Sequence, residues 1–281
     1  ELERLCRLLA GLGIRKVRVT GGEPLVRPGI EAFITCLAGL GLQDLSLTTN
    51  GFSLAEQAGA LKAAGLKRIN ISLDSLQPER FDRITRTRGA FARVLAGIEA
   101  AAAAGFRPIK VNAVIVRGFN DDEILDFVHF ARTYGLALRF IEFMPLDADH
   151  IWDRSRVVTA EEILAQLRQM DALVELPRQP SSETALRYRF PDNGAEIGLV
   201  ASVSLPFCRQ CSRIRLTADG KIRTCLFSVA DHDIRHLLRN GASDRELGAA
   251  IARVVEEKEE GHHINEADFV PSNRTMVFIG G

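Results

Sequence analysis

The sequence predicts an α/β protein whose first half consists of parallel strands joined by helical crossovers. Short runs rich in β-branched and apolar residues alternate there with longer stretches in which Leu, Ala, Ile or Phe recur at helical spacing. This alternation is typical of a parallel sheet covered by helices. Polar and glycine residues follow each predicted strand, at the sheet edge where α/β proteins place their binding sites.

The predicted elements of this half follow one another in a regular order. Residues 1–5 have the pattern of the interior of an amphipathic helix. The predicted strands are 16–20, 45–49, 68–73, 109–116 and 138–143. The predicted helices between them are 29–40, 54–64, 78–85, 90–104 and 121–134. Gly65 and Gly105 are expected to end two helices, and Asn120, Asp121 and Asp122 to cap the last one.

The regular order ends after Met144, which predicts a boundary near residue 146. The two expected regions are 1–146 and 147–281. Residues 147–154 read as a loop, and short strands and turns are expected to follow.

Two helices are expected in the second region because each starts with a capping box. Thr159 with Glu162 begins a helix that runs over 159–170. Ser243 with Glu246 begins a longer helix that ends near residue 259.

Composition excludes several classes of protein. With 36 basic and 36 acidic residues the net charge is zero, which argues against a general nucleic-acid surface. No apolar run approaches the roughly 20 residues that cross a bilayer. We therefore expect a soluble, cytoplasmic protein that binds neither nucleic acid nor membrane. The first residues lack an initiating Met and a signal-peptide pattern, so we also expect the sequence to begin inside a domain.

The sequence contains five cysteines, an odd number that does not suggest a disulfide framework. Cys6 and Cys36 stand singly among apolar helical residues and are expected to be buried thiols. Cys208, Cys211 and Cys225 form a different pattern, because a Cys-x-x-Cys turn and a hairpin through Asp219-Gly220 can bring three thiolates together.

Three thiolates can hold an iron–sulfur cluster and leave its last iron open to a substrate atom. A structural zinc ion is the alternative, with a fourth ligand from His232, His236, His262 or His263. A chance pair of cysteines is a third reading.

Basic residues beside these cysteines suggest what the site binds. Arg213 and Arg215 alternate, so on a strand they would share one face. Two guanidinium forks next to a metal centre favour a ligand that carries phosphates. The other reading is a solvated strand face.

Residues Gly21-Gly22-Glu23-Pro24 follow the first predicted strand and match neither a phosphate-binding loop nor a dinucleotide fingerprint. Glu23 could accept hydrogen bonds from an amino group of a ligand, or the segment could simply form a sharp turn between strand and helix. This motif resembles the Gly-Gly-Glu-Pro motif of radical S-adenosylmethionine enzymes.

Further motifs make the whole chain similar to the GTP 3′,8-cyclase family of molybdenum-cofactor biosynthesis. These motifs are Arg18-Val19-Thr20, Leu47-Thr48-Thr49-Asn50-Gly51, Asn70-Ile71-Ser72-Leu73-Asp74-Ser75-Leu76, Arg139-Phe140-Ile141-Glu142-Phe143-Met144, Phe207-Cys208, Cys211-Ser212-Arg213-Ile214-Arg215, Cys225-Leu226-Phe227 and the terminal Gly280-Gly281. The resemblance implies an incomplete (βα)6 TIM-like barrel that lacks its first strand, plus a C-terminal α+β region that binds a cluster.

The resemblance also implies the chemistry and the cofactors. In this family S-adenosylmethionine, bound to an N-terminal [4Fe-4S] cluster, yields a 5′-deoxyadenosyl radical that takes the C3′ hydrogen of GTP. The C3′ radical then attacks C8 of guanine. A second [4Fe-4S] cluster in the C-terminal region is ligated by the guanine base at its open iron.

Site residues are implied position by position. Gly22, Ser72 and Met144 match the S-adenosylmethionine site. Arg18, Thr48, Lys110, Arg213 and Arg215 match GTP-contacting positions. Cys208, Cys211 and Cys225 match the C-terminal cluster ligands. Gly280 and Gly281 match a tail that reaches into the active site and are predicted as catalytic.

The implied partners are GTP, S-adenosylmethionine, an electron donor such as flavodoxin or ferredoxin, and a downstream cyclic pyranopterin monophosphate synthase; the family also allows a homodimer. Two departures stand out. Ser212 replaces the usual Asn, and no Cys-x3-Cys-x2-Cys triplet occurs, so we expect this chain alone to be unable to generate the radical. The alternatives are another radical enzyme with an auxiliary cluster, such as a peptide maturase, and a non-catalytic zinc or nucleotide module.

Overall fold

A computed structural model describes residues 1–146, 151–177, 183–191, 196–208, 211–267, 269–272 and 274–279. Within these ranges the chain forms one large mixed sheet, one small sheet and helices around them. Among the described helices, none combines the length and the apolar character that a membrane span requires.

The large sheet has eight strands in the order β1-β2-β3-β4-β5-β8-β7-β6. Its strands are β1 (Lys16–Val19), β2 (Asp44–Thr49), β3 (Arg68–Ser72), β4 (Ile109–Ile115), β5 (Ala137–Glu142), β6 (Val174–Glu175), β7 (Leu186–Arg189) and β8 (Glu196–Val200). Strands β1 to β5 and β8 are parallel, and β7 and β6 continue the sheet in antiparallel pairs. The prediction of a parallel sheet in the first half is therefore confirmed.

The helices lie between the strands largely as predicted. They are α1 (Leu2–Gly11), α2 (Ile30–Ala38), α3 (Leu54–Ala63), α4 (Pro78–Thr85), α5 (Ala90–Ala103), α6 (Ile124–Tyr134), α7 (Ala160–Leu167), α8 (Arg235–Arg239), α9 (Asp244–Glu256) and α10 (Met276–Ile279). Gly65 and Gly105 follow α3 and α5 with φ of 98° and 81°, a left-handed conformation that glycine adopts without steric cost.

Both predicted capping boxes are present. The Thr159 hydroxyl accepts from the Glu162 amide, and the Glu162 side chain accepts from the Thr159 amide. Ser243 and Glu246 make the same reciprocal pair at α9. Helix α9 ends at Glu256, earlier than predicted, because the next residues turn their side chains toward the segment around Cys225.

The prediction that Asn120 caps the following helix is wrong. Its side-chain carbonyl accepts from the Val116 amide at 2.7 Å, and its NH2 group donates to the carbonyls of Asp74 and Val114 at 2.6 and 2.8 Å. A 3-10 turn over Asp121–Glu123 separates it from α6. Asn120 thus fastens the loop after β3 to the end of β4.

The two faces of the large sheet differ in polarity because side chains alternate along each strand. One face carries Leu45, Leu47, Ile69, Ile71 and Phe140, which are buried in the main hydrophobic core with the helices. The opposite face carries the polar members of the same strands. We call this second set the polar face; it comprises Arg18, Ser46, Thr48, Arg68, Asn70, Ser72, Lys110, Asn112 and Arg139, which the strand register aligns in neighbouring rows.

The charges on the polar face influence one another across the sheet. Arg139 of β5 contributes to lowering the pKa of Arg18 of β1. Among the described residues β1 and β6 do not pair, so the sheet is an open one, and the expected incomplete barrel stays a prediction.

The C-terminal region contributes a small sheet and two further cores. Strands β9 (Arg215–Leu216), β10 (Lys221–Arg223) and β11 (His232–Asp233) form the small sheet in the order β11-β10-β9. Its Ile222 packs with Leu5 of α1 and with Leu247 and Ile251 of α9. Another cluster joins Leu146, Phe227 and Ile279, with Met144 and Cys225 packed against it.

Candidate functional site

The polar face holds three cationic side chains on three strands of the large sheet. Arg18 of β1, Lys110 of β4 and Arg139 of β5 make no hydrogen bond or ion pair with any other residue that the structure describes. Arg68 on the same face differs, because it donates to the Asp44 carboxylate, with its Nε at 2.7 Å from Oδ1. The three unpaired cations therefore form a preformed site for an anion.

Burial and mutual repulsion act on each of these cations. Burial and, to a smaller extent, the neighbouring positive charges of Arg139, Arg68, Arg213 and Arg215 together lower the pKa of Arg18 to about 10. The Arg18 side chain is nevertheless exposed to solvent. Arg18 therefore has protein around it and remains accessible to a ligand from solvent.

Lys110 is more strongly desolvated, since only 8% of it is exposed. Burial lowers its pKa to about 8, with Arg139 and Arg68 adding to the effect and Glu196 and Glu183 opposing it. Burial lowers the pKa of Arg139 as well. Charges held in this way are costly until an anion binds.

Arg139 was not predicted as a site residue, although its motif was noted. Its register partner on β8 is Gly198, where an added Cβ would lie 3.2 Å from the Arg139 Cγ. The glycine thus leaves room for the arginine stem on the polar face. A charged residue inside an otherwise apolar strand is the signal that could have identified it.

Two asparagines place unsatisfied carbonyl oxygens on the polar face. The side-chain oxygens of Asn70 and Asn112 are buried, and neither accepts a hydrogen bond from the described residues. Asn112 is the register partner of both Ser72 and Arg139. Buried acceptors without a donor are uncommon in proteins, so these two oxygens are open to a donor group of a ligand.

The predicted S-adenosylmethionine residues lie at the carboxyl end of the sheet. Ser72 ends β3 and is half-buried, Met144 follows β5 and is half-buried, and Gly22 is exposed after β1. The three residues thus follow three parallel strands at one edge, as the sequence predicted.

Glu23 has an internal role. Its carboxylate accepts from the amides of Leu25 and Asn50 at 3.0 and 2.7 Å and from the Thr49 hydroxyl at 2.7 Å. The carboxylate thus ties the turn after β1 to the end of β2. Of the two readings of this motif, the sharp turn is the one that the structure shows.

The predicted cluster cysteines lie close to one another. Cys208 and Cys211 share a turn closed by a bond from the Cys211 amide to the Cys208 carbonyl at 2.9 Å. The β9-β10 hairpin through Gly220, whose φ is 80°, returns the chain to Cys225. All three thiols are free and half-buried, and Cys208 and Lys258 are among the charges that influence the pKa of Cys225.

The described residues contain no group of three or more His, Cys, Asp or Glu side chains arranged to hold a single metal ion. A four-iron cluster spreads its thiolates over separate irons, so its ligands stand farther apart than those of one ion. His262 and His263 are engaged elsewhere, with Nδ1 accepting from Ile264 and contacting Glu266, respectively. The three sulfur donors are of the kind that an iron–sulfur cluster or a zinc ion takes.

Local charge favours the thiolate of Cys211. Burial raises its pKa, but Arg213 and Lys258 outweigh burial and hold the pKa below its usual value. The Arg213 Nε donates to the Cys211 Sγ at 3.3 Å. A thiolate is the form that binds iron.

Arg213 and Arg215 do not form one strand face as predicted, because β9 begins at Arg215. Arg213 is exposed before the strand, with its guanidinium 5.3 Å from the centre of the Phe207 ring. Burial lowers the pKa of Arg215 to about 10, and Arg213 adds to this. Since both arginines also act on Arg18, the cysteine region faces the polar face.

Lys258 and Glu259 are additional residues near the cysteines that the sequence analysis assigned to a helix. The Lys258 ammonium donates to the carbonyls of Arg213 and Thr224, and the Glu259 carboxylate accepts from the hydroxyls of Thr224 and Ser228. These contacts hold the segments on both sides of Cys225.

The C-terminal tail approaches the same region. The Met276 amide donates to the Leu146 carbonyl at 3.1 Å, and Ile279 is buried in the cluster that also contacts Met144 and Cys225. Gly280 and Gly281, predicted as catalytic, lie outside the described residues.

Comparison with known proteins gives the family. Residues 1–131 match the model of the radical SAM superfamily, and residues 136–264 match the model described as Molybdenum Cofactor Synthesis C. Proteins named GTP 3′,8-cyclase from Mycolicibacterium smegmatis and Moorella thermoacetica are 46% and 45% identical. Each alignment covers 100% of this chain, with 79% and 86% of the respective relative.

Solved structures support the fold alone. The chain is similar to Streptococcus suis SuiB, with a TM-score of 0.55 and 14% identity over 80% of this chain and 53% of that protein. SuiB bound to its precursor peptide SuiA gives a TM-score of 0.50 and 16% identity over 60% of this chain and 38% of that one.

Proposed function

The chain belongs to the GTP 3′,8-cyclase family of radical S-adenosylmethionine enzymes, and we propose that its polar face and C-terminal cysteines together bind GTP for cyclisation. The observation that carries this proposal is the set of unpaired cations Arg18, Lys110 and Arg139. Arg213 and Arg215 supply further positive charge from the direction of the cysteines. Together they suit a ligand with several negative charges.

The triphosphate is the part of GTP that these cations would bind. Arginine presents two parallel N–H donors to a phosphate, and lysine acts as a compact charge. Because Arg18, Lys110 and Arg139 form no hydrogen bond or ion pair with the described residues, they need little rearrangement when the anion arrives. Thr48, on the strand next to Asn70, would add a hydroxyl contact at the same level of the sheet.

The purine would lie toward Cys208, Cys211 and Cys225, which we propose as the ligands of a [4Fe-4S] cluster. Three cysteines leave one iron of the cluster without a protein ligand. If the guanine base binds this iron, the cluster would fix the orientation of the base. The exposed Ser212 occupies the position next to this site.

We propose that Gly22, Ser72 and Met144 hold S-adenosylmethionine at the carboxyl edge of the sheet. When bound with a reduced N-terminal cluster, it would supply, on one-electron cleavage to methionine, the radical that takes the C3′ hydrogen of GTP. The C3′ radical would then add to C8, and the resulting nucleotide radical would take up one further electron and a proton. The product is (8S)-3′,8-cyclo-7,8-dihydroguanosine 5′-triphosphate. The residues of this chain hold the sugar against the adenosyl group and keep water from the reacting carbon.

Two protein partners follow from this chemistry and are part of the proposal. Reductive cleavage needs an electron, which a flavodoxin or a ferredoxin would deliver. The cyclised nucleotide would pass to a cyclic pyranopterin monophosphate synthase.

Anaerobic reconstitution followed by iron and sulfide analysis tests the cysteine site. We expect about four irons per chain at these three cysteines. The Cys208→Ser variant should lose most of this iron, whereas Cys36→Ser on α2 should retain it. One zinc and no sulfide per chain, or equal iron in both variants, would overturn the assignment.

Calorimetry with GTP tests the polar face. Binding to the reconstituted chain should be lost when Arg18 and Arg139 are both changed to Met. A variant with Arg253→Met, on the solvent side of α9, should bind normally. Binding that survives the double change would remove the anion site.

A further inference from the structure

The side chain of Asn70 has a fixed orientation on the polar face. It lies in the middle of β3, is 1% exposed, and places its NH2 group 3.4 Å from the Leu47 carbonyl and 3.2 Å from the Thr48 hydroxyl. The Leu47 carbonyl can only accept hydrogen bonds, so the group that faces it must be the NH2. The amide oxygen therefore points away from Leu47.

This oxygen has no donor. It is buried and accepts no hydrogen bond within the described part of the chain. Such a group is unfavourable when it is left unsatisfied, and native structures keep few of them. Asn120 shows the usual case, since it is equally buried and both ends of its amide are satisfied.

The neighbours of Asn70 indicate what would satisfy it. Its register partners are Thr48 on β2 and Lys110 on β4, so the amide lies between a hydroxyl and an unpaired ammonium. A ligand at this level must present a hydrogen-bond donor beside a negative charge. A nucleotide does so through a sugar hydroxyl or the exocyclic amine of guanine.

The contact with Thr48 gives Asn70 a second effect. Because the Thr48 oxygen already accepts from the Asn70 NH2, its own proton is free to be donated to a ligand acceptor. Asn70 thus sets the donor direction of a neighbouring site residue while it offers an acceptor itself.

We infer that Asn70 is a specificity-determining and positioning residue: its amide oxygen accepts from a donor group of the bound nucleotide, and its NH2 group orients Thr48. This inference rests on the proposed function, because it requires a nucleotide on the polar face. It predicts that Asn70 discriminates between nucleotides that differ in one donor group.

The test compares the affinity of the anaerobically reconstituted chain for GTP, 2′-deoxy-GTP, 3′-deoxy-GTP and inosine triphosphate by calorimetry. We expect the original chain to bind one of the three analogues about tenfold more weakly than GTP, as loss of one hydrogen bond predicts. In Asn70→Leu, GTP should bind about tenfold more weakly and the preference over that analogue should disappear. The analogue that loses affinity identifies the donor as a hydroxyl or as the amine.

Asn120→Leu is the matched control. It breaks satisfied hydrogen bonds, so we expect it to lower the melting temperature and to leave the nucleotide preference intact. Asn70→Leu removes two longer hydrogen bonds of the NH2 group together with an unsatisfied oxygen, so its melting temperature should fall less than that of Asn120→Leu. Should Asn70→Leu keep the full preference, or Asn120→Leu lose it as well, the inference is wrong. Failure of the original chain to bind GTP at all would instead contradict the proposed function.

Discussion

The protonation state of Lys110 changes with pH in the range that binding experiments can use. Burial lowers its pKa to about 8, so the ammonium of the ligand-free protein loses its proton between about pH 7 and 9. A triphosphate binds the charged form and must draw a proton from solvent at higher pH. We therefore expect the affinity for GTP to fall roughly eightfold from pH 7.5 to pH 9, measured by calorimetry.

Lys110→Arg separates this titration from other effects, because arginine stays charged over the same range. The affinity of this variant for GTP should vary little with pH. If its affinity decreases as steeply as that of the original chain, another group is responsible for the pH dependence.

Lys110 also affects the pH dependence of stability. Since its folded pKa lies below the unfolded value of 10.5, the unfolded chain holds more protons between pH 8 and 10.5, and this contribution to the free energy of unfolding rises with pH.

Arg213 and Arg215 are predicted to bind phosphate from the side of the cysteines. Replacing either by Ala should weaken GTP binding by about 1.5–3 kcal/mol, as expected for a charge-assisted hydrogen bond. Arg213→Ala should in addition lower the iron content, because Arg213 favours the Cys211 thiolate. The exposed Arg253→Ala provides the reference; unchanged affinity in both site variants would exclude a phosphate role.

Among single residues, the sequence analysis identified those that lie in motifs. It missed those whose role depends on contacts between distant parts of the chain. Arg18 and Lys110 lie on the polar face, and Cys208, Cys211 and Cys225 lie near one another, while their roles stay predictions. Arg139 and Asn70 were overlooked because their importance depends on what fails to pair with them in the folded chain. A local sequence pattern cannot show that a side-chain atom lacks a hydrogen-bond partner in the folded chain.

Helix α9 shows how far one capping residue supports an element. Ser243 caps it with a reciprocal bond to Glu246, and its residues Leu247 and Ile251 are buried against α1. Ser243→Ala should lower the free energy of unfolding by about 1 kcal/mol, measured by urea denaturation. At α3 the cap Ser53 makes no such side-chain bond, so Ser53→Ala should change stability by much less. Equal losses would show that the bond itself contributes nothing.

Strands of the first half were predicted to within one or two residues, because their alternation reflects the two faces of the sheet. The predicted strand over 45–49 is observed as Asp44–Thr49, for example. Pairing of β8 with β5 could not be predicted in the same way. It joins residues far apart in sequence, and neither strand carries a signal that names its partner.

Glu142 connects distant parts of the whole molecule. It is 1% exposed, and its carboxylate accepts from the amides of Ala160, Val203 and Ser204 at 2.8, 2.7 and 2.8 Å. Strand β5, helix α7 and the segment after β8 therefore meet at one side chain. A buried carboxylate with three amide donors is worth several charge-assisted hydrogen bonds.

Glu142→Gln places an NH2 group against these donors and should lower the free energy of unfolding by about 3 kcal/mol. The exposed Glu99→Gln on α5 should leave it nearly unchanged. Thermal and urea denaturation measure both. A loss below about 0.5 kcal/mol in Glu142→Gln would mean that the segments are held together without this carboxylate.

The packing of α1 on α9 has a mechanical consequence. Leu5 near the start of the sequence shares a core with Ile222, Leu247 and Ile251, and Arg4 contacts Asp244 and the Ala242 carbonyl. Non-covalent contacts thus hold α1 against α9 and the small sheet, although these elements are far apart in the sequence. If a protease cuts an exposed loop between α1 and α9, the two fragments should stay associated. The cut should then be detected only under denaturing conditions.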